Sequence, residues 1–421
     1  MDLQKLAKEM ASCPCGREHK IGIDAVGCAP GLVSDAGSIL SSLDFPRRVL
    51  LVADENTLAA ARGVRESLTD AGFILTEKIY PDLRHADIER VNEIRGLCGD
   101  VWGVISVGTG SLNDICRYAS ALENKDFAIF ATAPSMDGFA SDTAPITEGG
   151  FKTSRVAKQP RVLLADSNVL ADAPAILKGA GFGDMMAKYI GLADWRVSAL
   201  YSGEYYCEKV AAVTRGAADA CLRDAALVQK RSPEAAGRIF ESLIMTGLAM
   251  GFTRNSRPAS GAEHMFSHFW EMKKSLRGEQ SDFHGRQVAV ATVMCAKIYN
   301  ELAGLPAVSF KKDVFDAAGV RAAYGDELYA DVLAMNEPDM ITDALDTEAM
   351  GRGWAEVRRI IKEEIPATDV LVNAMKTAGA PVGPSEIGVS DGEAELALRY
   401  SPYMRRRLTL LRLMPMMNGV K

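Results

Sequence analysis

Apolar positions in the first third of the chain fall in short continuous runs, separated by stretches of helical period. In "RRVLLVADENT" an apolar run over residues 49–53 ends at Ala53-Asp54 and reads as a buried strand meeting a turn. "TLAAARGVRESLTDAG" follows with helical periodicity and a glycine stop. "FILTEKIYP" reads as a second strand and "ADIERVNEIRGLCG" as a helix. "DVWGVISVGTGSLNDICRYASAL" reads as strand, glycine turn and helix, and "FAIFATAPS" as another strand. This β-α-β-α order predicts a parallel sheet with covering helices.

The pattern changes near residues 164–166. Beyond them the chain is rich in Ala, Leu and Met, with 3.6-period stretches at 184–197, 204–228, 235–253 and 285–302. No convincing strand run follows residues 161–165. With 421 residues the chain exceeds one ordinary core. The expected organisation is an α/β domain with a parallel sheet over 1–165 and an all-helical domain over 166–421. The C-terminal "SPYMRRRLTLLRLMP" is expected to be a helix end with a solvated basic face.

Composition narrows the function classes. Hydrophobic residues make up 48% and charged residues 24%, ordinary for a soluble globular protein, and a net charge of -7 advertises no nucleic-acid partner. No apolar run approaches a membrane span, so no membrane partner is expected. The N-terminus lacks the apolar segment of a signal peptide. The eight cysteines show no disulfide-framework spacing, which suits buried thiols in a reducing cytoplasm. "CPCGREH" brings Cys13, Cys15 and His19 close together. A small metal clip is one reading; a mobile or merely packed N-terminus is the expected one.

Candidate chemistry gathers at strand ends and around histidine. Gly108-Thr109-Gly110-Ser111 ends a strand and opens a helix, where glycine lets the backbone approach a phosphate and free N–H groups favour an anion. Asp54 ends the first strand and could accept hydrogen bonds from an adenosine ribose; as an alternative it is a helix N-cap. Glu55 beside it would repel a 2′-phosphate, which favours NAD over NADP. The acid precedes the glycines here, the reverse of the usual dinucleotide fingerprint. In "TAPSMDGFASD", Thr132 and Ser135 offer hydroxyls and Asp137 an acceptor at the next strand end. The chain has five histidines, and three of them, His264, His268 and His284, lie within "SGAEHMFSHFWEMKKSLRGEQSDFHGRQVAVA". His264 and His268 share a helix face, and no H-E-x-x-H peptidase motif is present. The pair also fits core or capping histidines. "GAGFGDMMAKYIGLADW" supplies an acid, Asp184, expected in the first turn of a helix behind glycines.

Taken together, "TAPSMDGFAS", "GFGDMMAKY" and "SRPASGAEHMFSH" resemble the superfamily of glycerol dehydrogenase, iron-dependent alcohol dehydrogenase and dehydroquinate synthase. Within it the similarity is to the glycerol-1-phosphate dehydrogenases in their longer bacterial form, over nearly the full chain. The resemblance implies a Rossmann-like α/β domain, an all-α domain and an active site in the cleft between them. It implies Asp184, His264 and His284 as ligands of one divalent metal, with zinc, nickel and iron all compatible. His268 and Asp137 would face the substrate, with Asp184 and His268 the catalytic pair. Asp54, Gly108, Thr109, Gly110, Ser111, Leu112, Thr132, Ala133, Pro134, Ser135 and Ser141 would hold NAD(H), with NADP(H) also possible. Two departures stand out: Thr109 replaces a glycine common in the superfamily, and Arg117 replaces a lysine. The implied reaction is NAD(P)H-dependent interconversion of dihydroxyacetone phosphate and sn-glycerol 1-phosphate, in phospholipid metabolism, by a cytoplasmic homo-oligomer, in the first instance a homodimer. Lys152 and Arg257 are candidates for the substrate phosphate. The alternatives are another metal-dependent polyol or alcohol dehydrogenase, or a cofactor-binding sensor without catalysis.

Overall fold

The computed structural model describes residues 2–420. The apolar run at 49–53 is the centre of β2 (Arg48–Asp54), buried at every position after Arg48. It belongs to a six-stranded sheet with β1 (Ala25–Ala29), β3 (Ile74–Tyr80), β4 (Gly103–Gly108), β5 (Asp126–Ala131) and β8 (Val162–Asp166). The order is β1-β8-β5-β4-β2-β3, and every neighbouring pair is parallel. Interior strands of such a sheet are covered on both faces, so β4 and β8 are buried throughout and show no alternation. The edge strands β1 and β3 keep exposed positions.

Connectivity places the crevice. From β2 the chain moves outward to β3 and then returns to the other side of β2 as β4. That reversal opens a crevice at the C-terminal ends of β2 and β4, where ligands collect in open parallel sheets. Asp54 and Gly108 end these two strands, and Ala53 pairs with Val107 just before them.

Two sheet elements are not visible as periodic runs. β1 is "AVGCA", with little β-branched or aromatic content. β6 (Thr143–Glu148) and β7 (Phe151–Val156) form a separate antiparallel hairpin. Its tip is Gly149-Gly150, both at positive φ (56° and 80°), as a two-residue hairpin turn demands. The Gly-Gly pair is the sequence signal for it. The helical stretch after β2 divides into Glu55–Ala60 and Val64–Asp70, with Gly63 at φ 105° between them.

After β8 the chain is helical. The helices Ala175–Met186, Lys188–Ser202, Glu208–Arg223, Pro233–Thr253, Ala262–Leu276 and His284–Gly304 carry most of the second half. Among the described residues, the extended pairing beyond β8 is an isolated bridge between Phe310 and Met417. One core cluster runs from the sheet into these helices, with Leu163, Phe139, Trp195 and Phe240 all buried in it, so both walls of the crevice share one interior. The N-terminus joins this core. The helix Leu3–Ala11, capped by Asp2 accepting from the Lys5 N–H, buries Leu6 and Met10 there.

Two expectations are corrected here. Asp184 lies in the last turn of Ala175–Met186, because the helix begins well before its glycines. The triple arginine is not a solvated helix face: residues 404–409 are non-helical, Arg406 is exposed, and Arg405 and Arg407 turn inward. Arg407 donates to the Ser260 carbonyl (2.7 Å) and to Ser256 Oγ (2.8 Å).

Candidate active site

A cleft of about 850 Å³ lies over the C-terminal ends of β2 and β4, between the sheet and the helices. That size accommodates a cofactor or a comparable ligand. Its sheet wall includes Asp54, Thr109, Gly110, Ser111, Leu112, Ser135, Asp137 and Ser141. Its helix wall includes His264, His268, Glu271, His284 and Arg405, and the hairpin adds Lys152. Gly108, Thr132, Ala133 and Pro134 do not line the cleft. They sit behind it, in the turns that carry the lining residues.

The sheet wall is built from helix starts and hydroxyls. Thr109 is the N-cap of Gly110–Leu122, and its Oγ1 lies 2.5 Å from Ser135 Oγ. This ties the turns after β4 and β5 together and leaves the helix N-terminal amides facing the cleft. Asp54 does two things at once. It caps Glu55–Ala60 in a capping box, accepting from the Thr57 N–H at 2.8 Å, and it lines the cleft. Arg117 does not reach the cleft. It is fully buried and donates to the carbonyls of Ser141 (2.6 Å) and Phe139 (2.9 Å), fixing the turn that presents Ser141.

Glycines set the position of Asp184. A Cβ on Gly181 would come within 1.8 Å of the Pro134 carbonyl oxygen, and one on Gly183 within 2.5 Å of Ala289 Cβ. The helix can therefore press against both the turn after β5 and the His284 helix. The close approach lets Asp184 Oδ2 accept from the Asp137 N–H at 3.0 Å. Asp184 and Lys188 are fully buried. The Lys188 ammonium lies 2.8 Å from Asp184 Oδ1 and 2.6 Å from Asp137 Oδ2, and donates to the Ala259 carbonyl at 3.0 Å. One cation thus bridges two buried acids. Burial raises both carboxyls; for Asp184 it is outweighed by Lys188, His264 and His284, which hold the group below the usual range. For Asp137, burial and the neighbouring Asp184 win, pushing it up to about 6.

The three histidines converge. His264 and His284 have ring centroids 5.3 Å apart, and His268 and His284 5.6 Å. Glu263 Oε1 holds His264 Nδ1 at 2.7 Å. Glu271 Oε1 and Ser267 Oγ each lie 3.1 Å from His284 Nδ1. His268 Nδ1 is buried without a hydrogen-bond partner. Burial, with Arg405 and Lys152 nearby, holds His268 well below the usual imidazole range, so the ring is neutral.

Sequence patterns missed several groups here. Glu263 and Glu271 sit beside the histidines they orient, and Asp114 lines the cleft with its carboxyl pushed up to about 6 by burial. Arg405 is the most informative: its Nη2 is buried without a hydrogen-bond partner. Of the two phosphate candidates, Lys152 lines the cleft but is paired with Glu271 Oε2 at 2.6 Å. Arg257 is ruled out. It is buried away from the cleft, donating to Glu204, to Ser198 Oγ (3.0 Å) and to the Leu408 carbonyl (2.9 Å).

Comparison with known proteins places the chain. Residues 27–174 match the family model for iron-containing alcohol dehydrogenase. A glycerol-1-phosphate dehydrogenase (NAD(P)+) of Halalkalibacterium halodurans is 30% identical over 424 aligned residues, covering 97% of each chain. The chain belongs to the glycerol-1-phosphate dehydrogenase family. The fold agrees. A probable glycerol dehydrogenase from Sinorhizobium meliloti superposes with a TM-score of 0.62 at 16% identity, over 93% of this chain and 95% of its own. A sulfoacetaldehyde reductase from Bifidobacterium kashiwanohense, solved with NAD+, gives 0.62 at 12% identity over 95% and 96%.

Membership of this family implies a divalent metal, and the carboxylate and imidazole donors present suit one, two of them already at ligand spacing. His264 Nε2 lies 3.6 Å from Asp184 Oδ1; two ligand atoms on one tetrahedral ion stand ~3.4 Å apart. The His264–His284 ring separation of 5.3 Å likewise compares with ~5 Å for two imidazoles sharing such an ion. The carboxylates on each Nδ1 leave both Nε2 lone pairs available, the usual support for metal-binding imidazoles.

Proposed function

We propose that this chain catalyses the reversible reduction of dihydroxyacetone phosphate by NAD(P)H and a proton to sn-glycerol 1-phosphate and NAD(P)+. The reading rests on family membership and on one observation in the cleft: Arg405, a half-buried arginine whose Nη2 is buried and unpartnered, beside the three histidines. A buried cation with a free donor is costly unless an anion completes it. A phosphate ester does so with charge-assisted hydrogen bonds.

Residues 1–165 would form the cofactor-binding domain and residues 166–421 the metal- and substrate-binding domain. Asp54, the 108–112 turn, Ser135 and Ser141 would hold the nucleotide, with residues 132–134 shaping the turn behind it. A nicotinamide held there would supply the hydride for the central carbon of the ketone. Asp184, His264 and His284 would hold the metal, which when bound supplies a Lewis acid for the carbonyl. Asp137, partly neutralised by Lys188, accepts from a substrate hydroxyl. His268, a neutral imidazole, donates its N–H to the substrate and relays a proton from water. Arg405 and Lys152 would hold the phosphate away from the reacting carbon. That contact converts binding energy into orientation of the ketone.

Asp54 and the adjacent Glu55 support a preference for NADH. The eight free cysteines support a reducing, cytoplasmic location. Among the described residues, no helix is long and apolar enough to cross a membrane. A role in supplying glycerophospholipid backbones and a homodimeric state complete the proposal. One assay tests it: dihydroxyacetone phosphate and NADH, with chiral analysis of the product. Formation of the sn-1 ester is expected. Equal reduction of dihydroxyacetone and its phosphate would shift the reading to a polyol dehydrogenase.

A further inference from the structure

The N-terminal "CPCGREH" is not isolated in the fold. Cys207, 192 residues beyond Cys15 in the chain, is brought against it at the start of the helix Glu208–Arg223. Cys13 Sγ lies 3.4 Å from Cys207 Sγ, Cys15 Sγ 3.1 Å from His19 Nε2, and Cys207 Sγ 3.6 Å from the same nitrogen. Among the described residues, this is the set whose ligand atoms all close to within 4.8 Å of one another. We propose that Cys13, Cys15, His19 and Cys207 form a second metal site, a closed three-thiolate, one-imidazole centre for a zinc-like ion.

Geometry supports the assignment at each ligand. Sulfurs on one tetrahedral zinc stand ~3.8 Å apart, and sulfur and nitrogen ~3.6 Å, so the observed spacings need only small adjustments. His19 Nδ1 lies 3.0 Å from the Phe252 carbonyl oxygen. A backbone carbonyl only accepts, so Nδ1 carries the proton and the Nε2 lone pair faces the sulfurs. The Tyr205 hydroxyl donates to Cys15 Sγ at 3.2 Å, a contact that supports a thiolate. Cys207 stands at the N-terminal end of a 16-residue helix, a position that also favours negative sulfur. His19 and Cys207 are buried, and Cys13 and Cys15 are partly so.

Four protein ligands leave no open position, which is the arrangement of a structural rather than a catalytic metal. None of the four lines the cleft. The ion would staple the N-terminal segment to the helical half, between the sequence that leads into β1 and the start of a helix near the middle of the chain.

The test is to produce the full-length protein in cobalt-supplemented medium and record its absorption spectrum. Three thiolates give strong sulfur-to-cobalt charge-transfer bands in the near ultraviolet, which a carboxylate-imidazole centre cannot give. Those bands are expected in the unmodified protein, retained in His264→Ala, bleached by added zinc, and lost in Cys207→Ser. Turnover is expected to continue in Cys13→Ser, since these residues lie outside the cleft. A reduced, unmodified protein that binds cobalt without these bands overturns the proposal. So does an as-purified chain whose intact mass shows a Cys13–Cys207 disulfide and no metal at the cluster. The unmodified protein's spectrum decides the matter even if Cys207→Ser fails to fold.

Discussion

The two walls of the cleft are made from different chemistry. The sheet wall offers backbone amides, the hydroxyls of Thr109, Ser135 and Ser141, and the carboxylate of Asp54 at its rim. The helix wall and its supports concentrate ionisable groups: Asp184, Lys188, Glu263, His264 and His268 are buried, and Glu271, His284 and Arg405 are half-buried. Holding a nucleotide takes donors at fixed positions, which helix starts and turns supply as backbone amides and hydroxyls. Stabilising charge that develops on a ketone takes pre-placed charge in a dry site. Burying such charge is costly, and the helix wall meets that cost by pairing: Lys188 with Asp137 and Asp184, Lys152 with Glu271, Glu263 with His264. Arg405 is the cation this pairing leaves open.

If the helix wall carries the chemistry, removing its charge should cost the most. Asp184→Asn and His264→Ala are each expected to lower kcat/KM by at least about a thousandfold, or ~4 kcal/mol of transition-state stabilisation, and to release the cleft metal. Elemental analysis and steady-state rates check this. Full metal content with near-normal turnover would make the helix wall a structural ion-pair network and dissolve the contrast.

Arg405→Leu comes next. It removes the free guanidinium and leaves the histidines in place, with burial and Lys152 still holding His268 low. Its kcat/KM for dihydroxyacetone phosphate is expected to fall by roughly a hundredfold, equivalent to about 3 kcal/mol, with little change for unphosphorylated dihydroxyacetone. An equal fall for both ketones would mean that Arg405 supports the histidines instead of the phosphate.

The contrast between walls is also a contrast in legibility. β2, β4, β5 and β8 could be read because burial on both faces leaves a local apolar run, and the strand-end positions of Asp54 and Gly108 follow from it. β1 and the β6–β7 hairpin lack that run and were missed. On the helix wall, residue type and spacing marked Asp184 and the three histidines, but not what orients or completes them. Glu263 and Glu271 look like ordinary helix-surface acids in the sequence. Arg405 sits in a run of three arginines, which suggests solvent. The backbone over 404–409 is neither helix nor strand, so no periodicity in the sequence shows that Arg406 is exposed while Arg405 and Arg407 are half-buried. Cys207 illustrates the same limit: nothing near it in sequence refers to residues 13–19, and only the fold brings them together.

A smaller effect separates orientation from ligation within the helix wall. Glu263 accepts from His264 Nδ1 and from the Gly261 N–H at 2.8 Å, and its carboxyl is pushed up to about 7 by burial. Glu263→Gln keeps the shape and changes what His264 is held by. Metal affinity or turnover should fall by about ten- to a hundredfold, the usual effect of removing a carboxylate behind a metal-binding imidazole. Competition with a chelator measures it. No change would show that the Gly261 and His264 contacts are kept equally well by a neutral amide.

The smallest effect belongs to the sheet wall, and it needs a substitution that divides the two roles of Asp54. The carboxylate caps Glu55–Ala60 and also lines the cleft, so Asp54→Ala would confound a lost cap, worth about 1 kcal/mol, with a lost cofactor contact. Asp54→Ser avoids this. Serine is as good a helix cap and can still accept from the Thr57 N–H, but it carries no charge. Thermal stability should therefore stay close to that of the unmodified protein. Without the carboxylate the repulsion of a 2′-phosphate falls, while a ribose hydroxyl loses its anionic acceptor. The ratio of kcat/KM for NADPH to that for NADH should rise, by about five- to tenfold for ~1 kcal/mol of charge interaction across the solvent-filled cleft. Measuring both cofactors at one ionic strength checks this, since salt screens the same interaction. An unchanged ratio at unchanged stability would assign Asp54 to the cap alone, and the sheet wall would then hold its nucleotide with no charged side chain at the end of β2.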